Sequence, residues 1–509
     1  MSDVGRTRSP RPAPRRRPPT GPGPLLVVCI IALIPALGLF ALFSWSDAKV
    51  GDNEAAPPST GTLVAPPPPL SNGVLSFRRL PTTISRDVNL GLFQEEVVPF
   101  LASINDRSCV SISVDGVPVG AQNGDLVVIP ASNVKIIVAA VALDVLGPDF
   151  TYATTVAAAS APVDGVISGD LVLVGGGDPL LSSAWYPTSN LERRPVFNET
   201  SVEVLVDQLS AAGVTAVTGS VLGDGSRYDD EYFAPGWGTG VAGLEAGPYD
   251  ALLLNDARVQ GEEQRANDPN SGAAREFTRL LRERGISVAG EPGVGTRASL
   301  GAAAVDLAEV RSAPLVAVIE EMLANSDNNT AELMVKEIGL AAGGTGPGAG
   351  TRQAGLDAML ATLIGWGVDT TGVVLADGSG LSLDHRLTCN VLLGVLQRFD
   401  VDSAIGAGLP VAGETGTLAD VFVDHPVAGR LVGKTGTLNN PPFNEDPPAV
   451  KALAGYLPVD GGGAVEYVLI LNGPTISDQS EYRPVWNELA DLLGTYPSGA
   501  TPADLGPRT

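Results

Sequence analysis

Lysine is scarce in this 509-residue sequence, and its five copies are the residues whose spacing is most suggestive of chemistry. Two of them lie three residues after a serine, in Ser46-Asp-Ala-Lys49 and Ser132-Asn-Val-Lys135, and a third, Lys434, opens a Lys-Thr-Gly-Thr run. A serine hydroxyl is a weak nucleophile until a neighbouring base removes its proton, and a lysine one helical turn away can be that base. The spacing therefore predicts nucleophilic catalysis by a serine.

The second serine–lysine pair opens an apolar helix, whereas the first does not. Residues 130–147 read PASNVKIIVAAVALDVLG, with apolar residues at helical spacing and a proline ahead of the first turn. Ser132 and Lys135 therefore share a helix face, and the helix N-terminus favours developing negative charge. We expect burial, together with the positive charge of Lys434 across a cleft, to lower the pKa of Lys135. Ser46 and Lys49 border a segment without a helical pattern, so we treat that copy as chance.

A histidine-based triad and a phosphate loop both fit these residues less well. A Ser-His-Asp triad could draw only on His385 and His425, and the sequence has no Gly-x-Ser-x-Gly elbow. A solvated lysine near a capping serine is the usual meaning of Ser-x-x-Lys when that motif stands alone. The Gly-Lys-Thr run at 433–435 does not match a phosphate loop, because that motif requires a glycine where Ala428 stands.

Two further motifs follow Ser132 in chain order. Ser326-Asp-Asn328 lies in a polar break between two helical runs. The second motif lies at the edge of a candidate strand and consists of Lys434, Thr435, Gly436 and Thr437. The ordered set Ser-x-x-Lys, Ser-Asp-Asn and Lys-Thr-Gly is shared by penicillin-binding proteins and class A β-lactamases. Because lysine is so scarce, this ordered set is a specific signal.

The sequence resembles the low-molecular-mass class C penicillin-binding proteins, which are serine-type D-Ala-D-Ala carboxypeptidases and endopeptidases, over roughly residues 88–493. The resemblance rests on the three motifs, on the gap of nearly 200 residues between Ser132 and Ser326, and on the segments GGGDPLL (175–181), SDNNTAELMVKEIG (326–339), DGSGLS (377–382) and GRLVGKTGTL (429–438). It implies an α/β (α+β) fold like that of the transpeptidases and serine β-lactamases, in which helices cover an antiparallel sheet and a large α+β region is inserted.

The resemblance also implies a role for each motif residue. Ser132 would attack the D-Ala-D-Ala carbonyl carbon, with Lys135 as its base. Ser326 would pass a proton to the leaving amine, and Asn328 would hold the substrate amide.

The strand motif would bind the other end of the substrate. The terminal carboxylate would lie against Lys434, Thr435 and Thr437, and Gly436 would leave the strand open to the substrate. Backbone N–H groups of Ser132 and Thr437 would form the oxyanion hole.

Peptidoglycan stem peptides are therefore the expected substrates, β-lactams are the expected covalent inhibitors, and no metal or cofactor is called for.

Two alternatives stay open. A serine β-lactamase-like hydrolase shares the nucleophile, but no glutamate motif can be assigned to its deacylating water. A non-catalytic wall-binding protein would keep the fold and could lose a motif residue, yet none is lost here.

The charge distribution bears on location and partners. The net charge is −25, but residues 1–45 carry +5, from six arginines against Asp3, and the remainder carries about −30. Such a remainder repels nucleic acid.

Residues 25–45 read LLVVCIIALIPALGLFALFSW, which is long and apolar enough to cross a membrane with the arginines on the cytoplasmic side. We expect a single-pass anchor with the rest of the chain outside, the alternative being a cleaved signal peptide.

Composition divides the chain into seven segments. They are a cytoplasmic tail (1–24), an anchor (25–45), a proline-rich linker (46–85), the first part of a catalytic domain (86–150), an inserted region (151–312), the second part of the catalytic domain (313–495) and a C-terminal tail (496–509). Outside the cytoplasm, Cys109 and Cys389 could form a disulfide or stay as buried thiols.

Overall fold

The computed structural model of the protein describes residues 80–191, 196–238, 240–438, 449–460 and 462–505. The predicted tail 1–24 and anchor 25–45 lie outside the described residues, as does most of the predicted linker. Among the described helices, none combines the length and the apolar composition needed to cross a bilayer.

A five-stranded antiparallel sheet is the centre of the fold, and it is built from both ends of the chain. Its strands are β1 (Cys109–Val114), β2 (Val117–Gln122), β13 (Val432–Leu438), β14 (Ala449–Pro458) and β15 (Ala464–Gly473). They lie in the order β13-β14-β15-β1-β2. The antiparallel sheet that the family resemblance implies is confirmed. Strand β13 lies at an edge of this sheet. It pairs with β14 on one side and borders the cavity described below on the other.

Helices cover both faces of this sheet, as predicted. The helices are α1 (Leu80–Glu96), α2 (Val98–Ser103), α3 (Val134–Val145), α4 (Glu203–Ala211), α5 (Pro269–Glu283), α6 (Leu315–Asn325), α7 (Asn328–Ala341), α8 (Arg352–Gly365), α9 (Cys389–Arg398), α10 (Ala404–Gly408), α11 (Gln479–Gly494) and α12 (Pro502–Leu505). Alternate residues of β14 separate two cores. Ala452 and Ala454 pack with α3 and α6 to α9, whereas Leu453 and Leu457 pack with α1, α2 and α11.

Helix α1 begins earlier than the sequence pattern indicates. We predicted a proline-rich linker as far as residue 85, but the helix begins at Leu80, with Pro81 in its first turn. Proline is favourable there, since the first helical N–H groups have no intrahelical partner. The proline-rich composition of the preceding segment therefore hides the start of the helix. Ser85 Oγ donates to the Ala500 carbonyl oxygen at 2.6 Å, which ties α1 to the C-terminal segment.

The inserted region forms sheets of its own, as the sequence predicts for an α+β insert. Its strands are β3 (Ala153–Ala158), β4 (Val166–Ile167), β5 (Leu171–Val174), β6 (Leu181–Ser182), β7 (Thr200–Ser201), β8 (Ala216–Val217), β9 (Val221–Asp224), β10 (Ser287–Val288), β11 (Gly293–Val294) and β12 (Val305–Arg311). Two sheets have the strand orders β11-β9-β5-β3-β12 and β10-β8-β4, and a third pairs β6 with β7. Helices α4 and α5 share a buried core with these strands.

A disulfide joins the two parts of the chain that flank the insert. Cys109, the first residue of β1, is bonded to Cys389, the first residue of α9, across 280 residues of sequence. Of the two possibilities left open by the sequence, the structure therefore has the disulfide.

Candidate active site

Ser132 lies on a tight turn that leads directly into α3. Residues Ala131–Asn133 form a single 3₁₀ turn, and Ala131 has a left-handed backbone with φ of 49°. Such a backbone is unfavourable for alanine and persists only where the surroundings impose it. Gly380 packs against this turn so closely that a Cβ atom on it would lie 2.1 Å from the Ala131 carbonyl oxygen. Ser132 itself is half-buried and lines a cavity of about 640 Å³.

Lys135 is completely buried and donates to three oxygen atoms. Its Nζ lies 3.1 Å from Ser132 Oγ, 2.7 Å from Asn328 Oδ1 and 2.6 Å from the Ser379 carbonyl oxygen. An ammonium group has three N–H donors, so these partners satisfy all of them. The contacts hold the amine directly beneath the hydroxyl that it would deprotonate.

Burial lowers the pKa of Lys135 to about 8, against the opposing influence of Asp327, Asp377 and Glu332. The prediction that burial lowers this pKa is therefore confirmed, but the charges that act on Lys135 are carboxylates that raise it. Lys434 donates instead to Ser326 Oγ and to the Thr435 carbonyl oxygen, both at 2.8 Å. Desolvation, and not a neighbouring cation, prepares Lys135 as a base.

The Ser326–Asn328 motif is the junction between α6 and α7. Ser326 ends α6 in a left-handed conformation with φ of 61°, which lets the chain turn sharply. Asp327 is the N-cap of α7, and its carboxylate accepts from Thr330 N at 2.6 Å. Burial raises the pKa of Asp327. These two caps place Asn328 so that its amide oxygen faces Lys135 while its amide nitrogen donates to the Glu245 carbonyl oxygen at 2.8 Å.

Strand β13 presents the third motif along the cavity. Lys434 is completely buried, Thr435 is half-buried and Thr437 is exposed. Gly436 has a role that we did not predict. A side chain at this position would meet neighbouring atoms instead of open space. A Cβ atom at Gly436 would lie 2.9 Å from the Pro130 carbonyl oxygen and 3.2 Å from Ala131 Cβ. Glycine is therefore needed for the strand to approach the nucleophile turn.

The structure brings all eight predicted site residues into one region. Five of them line the cavity, namely Ser132, Ser326, Asn328, Thr435 and Thr437. Lys135 and Lys434 are buried behind the hydroxyl groups of Ser132 and Ser326, and Gly436 packs behind the nucleophile turn. Two serine–lysine pairs thus face a common space.

The loop 377–382, with sequence DGSGLS, supports Lys135 in a way that sequence reasoning missed. The main-chain oxygen of Ser379 accepts a hydrogen bond from Lys135. The backbone N–H groups of Gly378 and Ser379 in turn donate to Glu332 Oε1 at 3.0 and 2.7 Å. Burial raises the pKa of Glu332 to about 7. The sequence identifies this segment only by its likeness to a family, because a main-chain acceptor has no residue-type signature in a sequence.

Asp377 and His385 form a buried pair beneath this loop. Asp377 accepts from His385 Nε2 at 2.7 Å, from Trp237 Nε1 at 2.8 Å and from the backbone N–H groups of Gly380 and Ser382. Burial alone would raise the pKa of Asp377, but the His385 charge and these hydrogen bonds outweigh it and hold the pKa at about 2. His385 thus supports the loop beside Lys135, and its ring nitrogens contact Asp377 and backbone N–H groups instead of Ser132.

Metal ligation has no obvious place in the part of the chain that the structure describes. There, no group of three or more His, Cys, Asp or Glu side chains is arranged to hold a metal ion.

Several known carboxypeptidases are similar to this chain in sequence. The carboxypeptidase Rv3627c of Mycobacterium tuberculosis is 30% identical over 449 residues, which cover 83% of this chain and 87% of that protein. The D-alanyl-D-alanine carboxypeptidase of an Actinomadura species is 29% identical over 432 residues, covering 69% of this chain and 75% of that protein.

Among solved structures, penicillin-binding protein 4 (dacB) of Haemophilus influenzae superposes with a TM-score of 0.60 at 18% identity, over 79% of this chain and 98% of that one. A second structure of that protein carries a β-lactam and superposes with a TM-score of 0.57. At this identity the likeness shows a shared α/β fold with an antiparallel sheet. The family model described as "D-Ala-D-Ala carboxypeptidase 3 (S13) family" matches residues 108–267 and 250–494. The chain therefore belongs to the D-Ala-D-Ala carboxypeptidase 3 (S13) family.

Proposed function

We propose that the protein is a serine-type D-Ala-D-Ala carboxypeptidase and endopeptidase that acts on peptidoglycan stem peptides through an acyl-enzyme on Ser132. One observation carries this proposal. A buried lysine with a pKa near 8 lies 3.1 Å from the Ser132 hydroxyl, in a cavity that also holds the pair Ser326–Lys434. Family membership and the names of the two curated relatives support the same reaction.

Acylation begins with the fraction of Lys135 that is neutral, which is about one-tenth at pH 7 for a pKa near 8. The neutral amine takes the proton of Ser132 Oγ as this oxygen bonds to the carbonyl carbon of the penultimate D-alanine. Backbone N–H groups of Ser132 and Thr437 stabilise the oxyanion. The C–N bond then breaks, and Ser326 passes the proton that Lys135 had taken up to the departing amine, which leaves Lys135 neutral again. Water finally hydrolyses the ester and frees Ser132.

Substrate position depends on both lysines. Lys434 and the hydroxyl groups of Thr435 and Thr437 bind the terminal carboxylate, because a cation beside hydroxyl donors suits an anionic chain end. Asn328 holds the substrate amide, for which its amide nitrogen must leave the Glu245 carbonyl oxygen.

Fluorescent penicillin tests the proposal and separates it from the two alternatives. We expect stable covalent labelling of the wild type, loss of labelling in Ser132→Ala, and a fall of at least a hundredfold in labelling rate for Lys135→Ala. Labelling that persists in Ser132→Ala would exclude Ser132 as the nucleophile. Rapid turnover of the drug would favour a β-lactamase, and absence of wild-type labelling would favour a wall-binding protein.

Products from isolated cell-wall peptides identify the bond that is cut. Free D-alanine indicates carboxypeptidase activity, and separation of cross-linked peptides indicates endopeptidase activity. If a wild-type enzyme that labels with penicillin released neither product, this result would contradict a peptidase function.

We also propose that the protein is a single-pass membrane protein whose catalytic part lies outside the cytoplasm. The uncharged stretch 25–45, the six arginines before it and the Cys109–Cys389 disulfide support this location. Membrane fractionation and intact mass test it. A mature mass that lacks residues 1–45 would indicate a cleaved signal peptide instead, and recovery of the full chain in the cytoplasm would contradict export.

A further inference from the structure

The peptide group between Ser379 and Gly380 contacts both members of the catalytic pair. Its oxygen atom accepts a hydrogen bond from Lys135 Nζ at 2.6 Å. Gly380 packs against the nucleophile turn, where a Cβ atom on this glycine would lie 2.1 Å from the Ala131 carbonyl oxygen and 2.9 Å from Ser132 N. The position of this one peptide group therefore determines where the amine of Lys135 lies relative to the turn that carries Ser132.

Asp377 holds the same peptide group from the side opposite Lys135. The Gly380 N–H donates to Asp377 Oδ1 at 2.6 Å. In a trans peptide group the C=O and N–H bonds point in opposite directions, so Lys135, the peptide group and Asp377 form a chain of hydrogen bonds. The hydrogen bonds of such a chain strengthen each other, because the carboxylate polarises the peptide group and makes its oxygen a better acceptor for the amine.

Four donors fix the carboxylate of Asp377, two on each oxygen atom. Oδ1 accepts from Gly380 N and from His385 Nε2, the latter at 2.7 Å. Oδ2 accepts from Ser382 N at 2.7 Å and from Trp237 Nε1 at 2.8 Å. An ionised carboxylate has about four acceptor sites, so all of them are used here. The group cannot rotate without losing partners, and complete burial of Asp377 and His385 keeps water from replacing them.

Asp377 differs from the other carboxylates that face Lys135 in how it acts on the amine. Asp327 caps α7 and acts on Lys135 by its charge across the intervening space. Glu332 projects from α7 and accepts from the N–H groups of Gly378 and Ser379. Asp377, by contrast, accepts from the peptide group whose oxygen holds the amine. The nearby cation, Lys434, donates to Ser326 instead.

We propose that Asp377 is a positioning residue for acylation, which fixes the peptide group 379–380 so that Lys135 Nζ stays within reach of the Ser132 hydroxyl. This inference rests on the proposed function. His385 and Trp237 act through Asp377, because each of them fixes one of its oxygen atoms. A carboxylate with a merely structural role would stabilise the fold without changing the reaction of the folded protein, and this difference can be measured.

The rate of labelling with fluorescent penicillin from pH 5 to 10 tests the role. The rate rises along an acid limb with the neutral fraction of Lys135 and then reaches a plateau. Asp377→Asn should lower the plateau by about tenfold to a hundredfold. In either orientation of the new amide its nitrogen would meet two N–H donors, so the loop and the amine must move. The acid limb should move to lower pH, because a charge that raises the pKa of Lys135 is lost.

Asp327→Asn separates the position of the amine from the effect of charge. It also removes a carboxylate that raises the pKa of Lys135, so the acid limb should move in the same direction. The plateau should stay close to that of the wild type, because the peptide group 379–380 keeps its partners. A plateau that falls as far in Asp327→Asn as in Asp377→Asn would overturn the inference.

Glu276→Gln is the matched control for lost stability. Glu276 is a buried carboxylate of the inserted region that accepts from Ser183, Trp185 and Arg279. Its variant should lower the temperature of thermal unfolding but change neither the plateau nor the acid limb. An equal fall of the plateau in Glu276→Gln and Asp377→Asn, or a wild-type plateau in folded Asp377→Asn, overturns the inference.

Two variants of His385 decide if Asp377→Asn does not fold. His385→Gln keeps an N–H donor for Asp377 Oδ1 and should keep most of the plateau rate, whereas His385→Leu removes the donor and should lower the plateau. Equal plateaus in the two folded variants would overturn the inference. Failure of the wild type to label with penicillin overturns the proposed function itself, whereas a labelled wild type with unaffected variants overturns the positioning role alone.

Discussion

The side-chain amide of Asn328 donates a hydrogen bond to the main-chain oxygen of Glu245 at 2.8 Å. Its amide oxygen accepts from Lys135 at 2.7 Å, so one side chain joins the inserted region to the buried amine beside the nucleophile. The orientation of this amide is set by both partners, because one is a donor and the other an acceptor. The pH dependence of acylation should therefore respond to changes at this position.

Asn328→Asp is expected to move the acid limb of the acylation profile to higher pH. A carboxylate close to the amine favours the ammonium form and raises the pKa of Lys135 above about 8, so less neutral amine is present at pH 7. The shift should be about one pH unit or more, measured as the rate of penicillin labelling from pH 5 to 10.

Asp327→Asn provides the opposite change at the neighbouring position. Burial dominates the pKa of Lys135, and Asp327 is foremost among the carboxylates that oppose this effect. Removing its charge should move the acid limb to lower pH, while asparagine can still cap α7. Shifts of the same sign in both variants, or none in either, would be incompatible with Lys135 as the base.

Gly436→Ala should slow acylation by at least tenfold while the protein stays folded. The added methyl group would meet the Pro130 carbonyl oxygen and Ala131 Cβ, so β13 must move away from the turn that holds Ser132. Labelling rate and thermal unfolding are measured together. Gly365→Ala is the control, because nothing lies within 4 Å of the new methyl group. A normal labelling rate in Gly436→Ala would show that this close approach is not needed.

Reduction of the Cys109–Cys389 disulfide should lower the free energy of unfolding by about 2–4 kcal/mol, since the bond closes a loop across 280 residues of sequence. Urea unfolding with and without a reductant measures the change. A double variant, Cys109→Ala with Cys389→Ala, should have the lower value in both conditions. Equal stability of the oxidised and reduced wild type would argue that the bond contributes nothing.

Asp377→Asn should lower the free energy of unfolding by about 3 kcal/mol. The new amide nitrogen would face backbone N–H groups that now donate to a carboxylate, and His385 would lose its charged partner. Asp377 has a pKa near 2, below its ordinary value, so its contribution is complete above about pH 4 and disappears as the pH falls toward 2. Urea unfolding at pH 7 checks the first effect. Asp369→Asn, at an exposed turn, should leave stability nearly unchanged.

The motifs and the family resemblance that they carry predicted an antiparallel sheet covered by helices and the meeting of Ser132, Ser326 and Lys434. Strand alternation, helical periodicity and motif order are all properties of side chains, and these are visible in a sequence. The contacts that could not be predicted involve main-chain atoms. The carbonyl oxygens of Ser379 and Glu245 hold Lys135 and Asn328, yet any residue type could supply them.

Long-range packing explains the remaining differences. The influence of Lys434 on Lys135 was overestimated, because the sequence does not show that carboxylates would surround the buried amine. The close approach of Gly436 to the nucleophile turn could not be predicted either, since that turn lies some 300 residues earlier in the chain.

The central sheet pairs β1, near the start of the catalytic part, with β15, near its end. A chain that emerges progressively from a ribosome exposes Ser132 and Lys135 long before β13 to β15 are available. The nucleophile turn then lacks the strand that packs against it and the lysine that pairs with Ser326. The active site is therefore complete only after the last strands have joined the sheet, and we expect no hydrolysis from a chain that is still being synthesised.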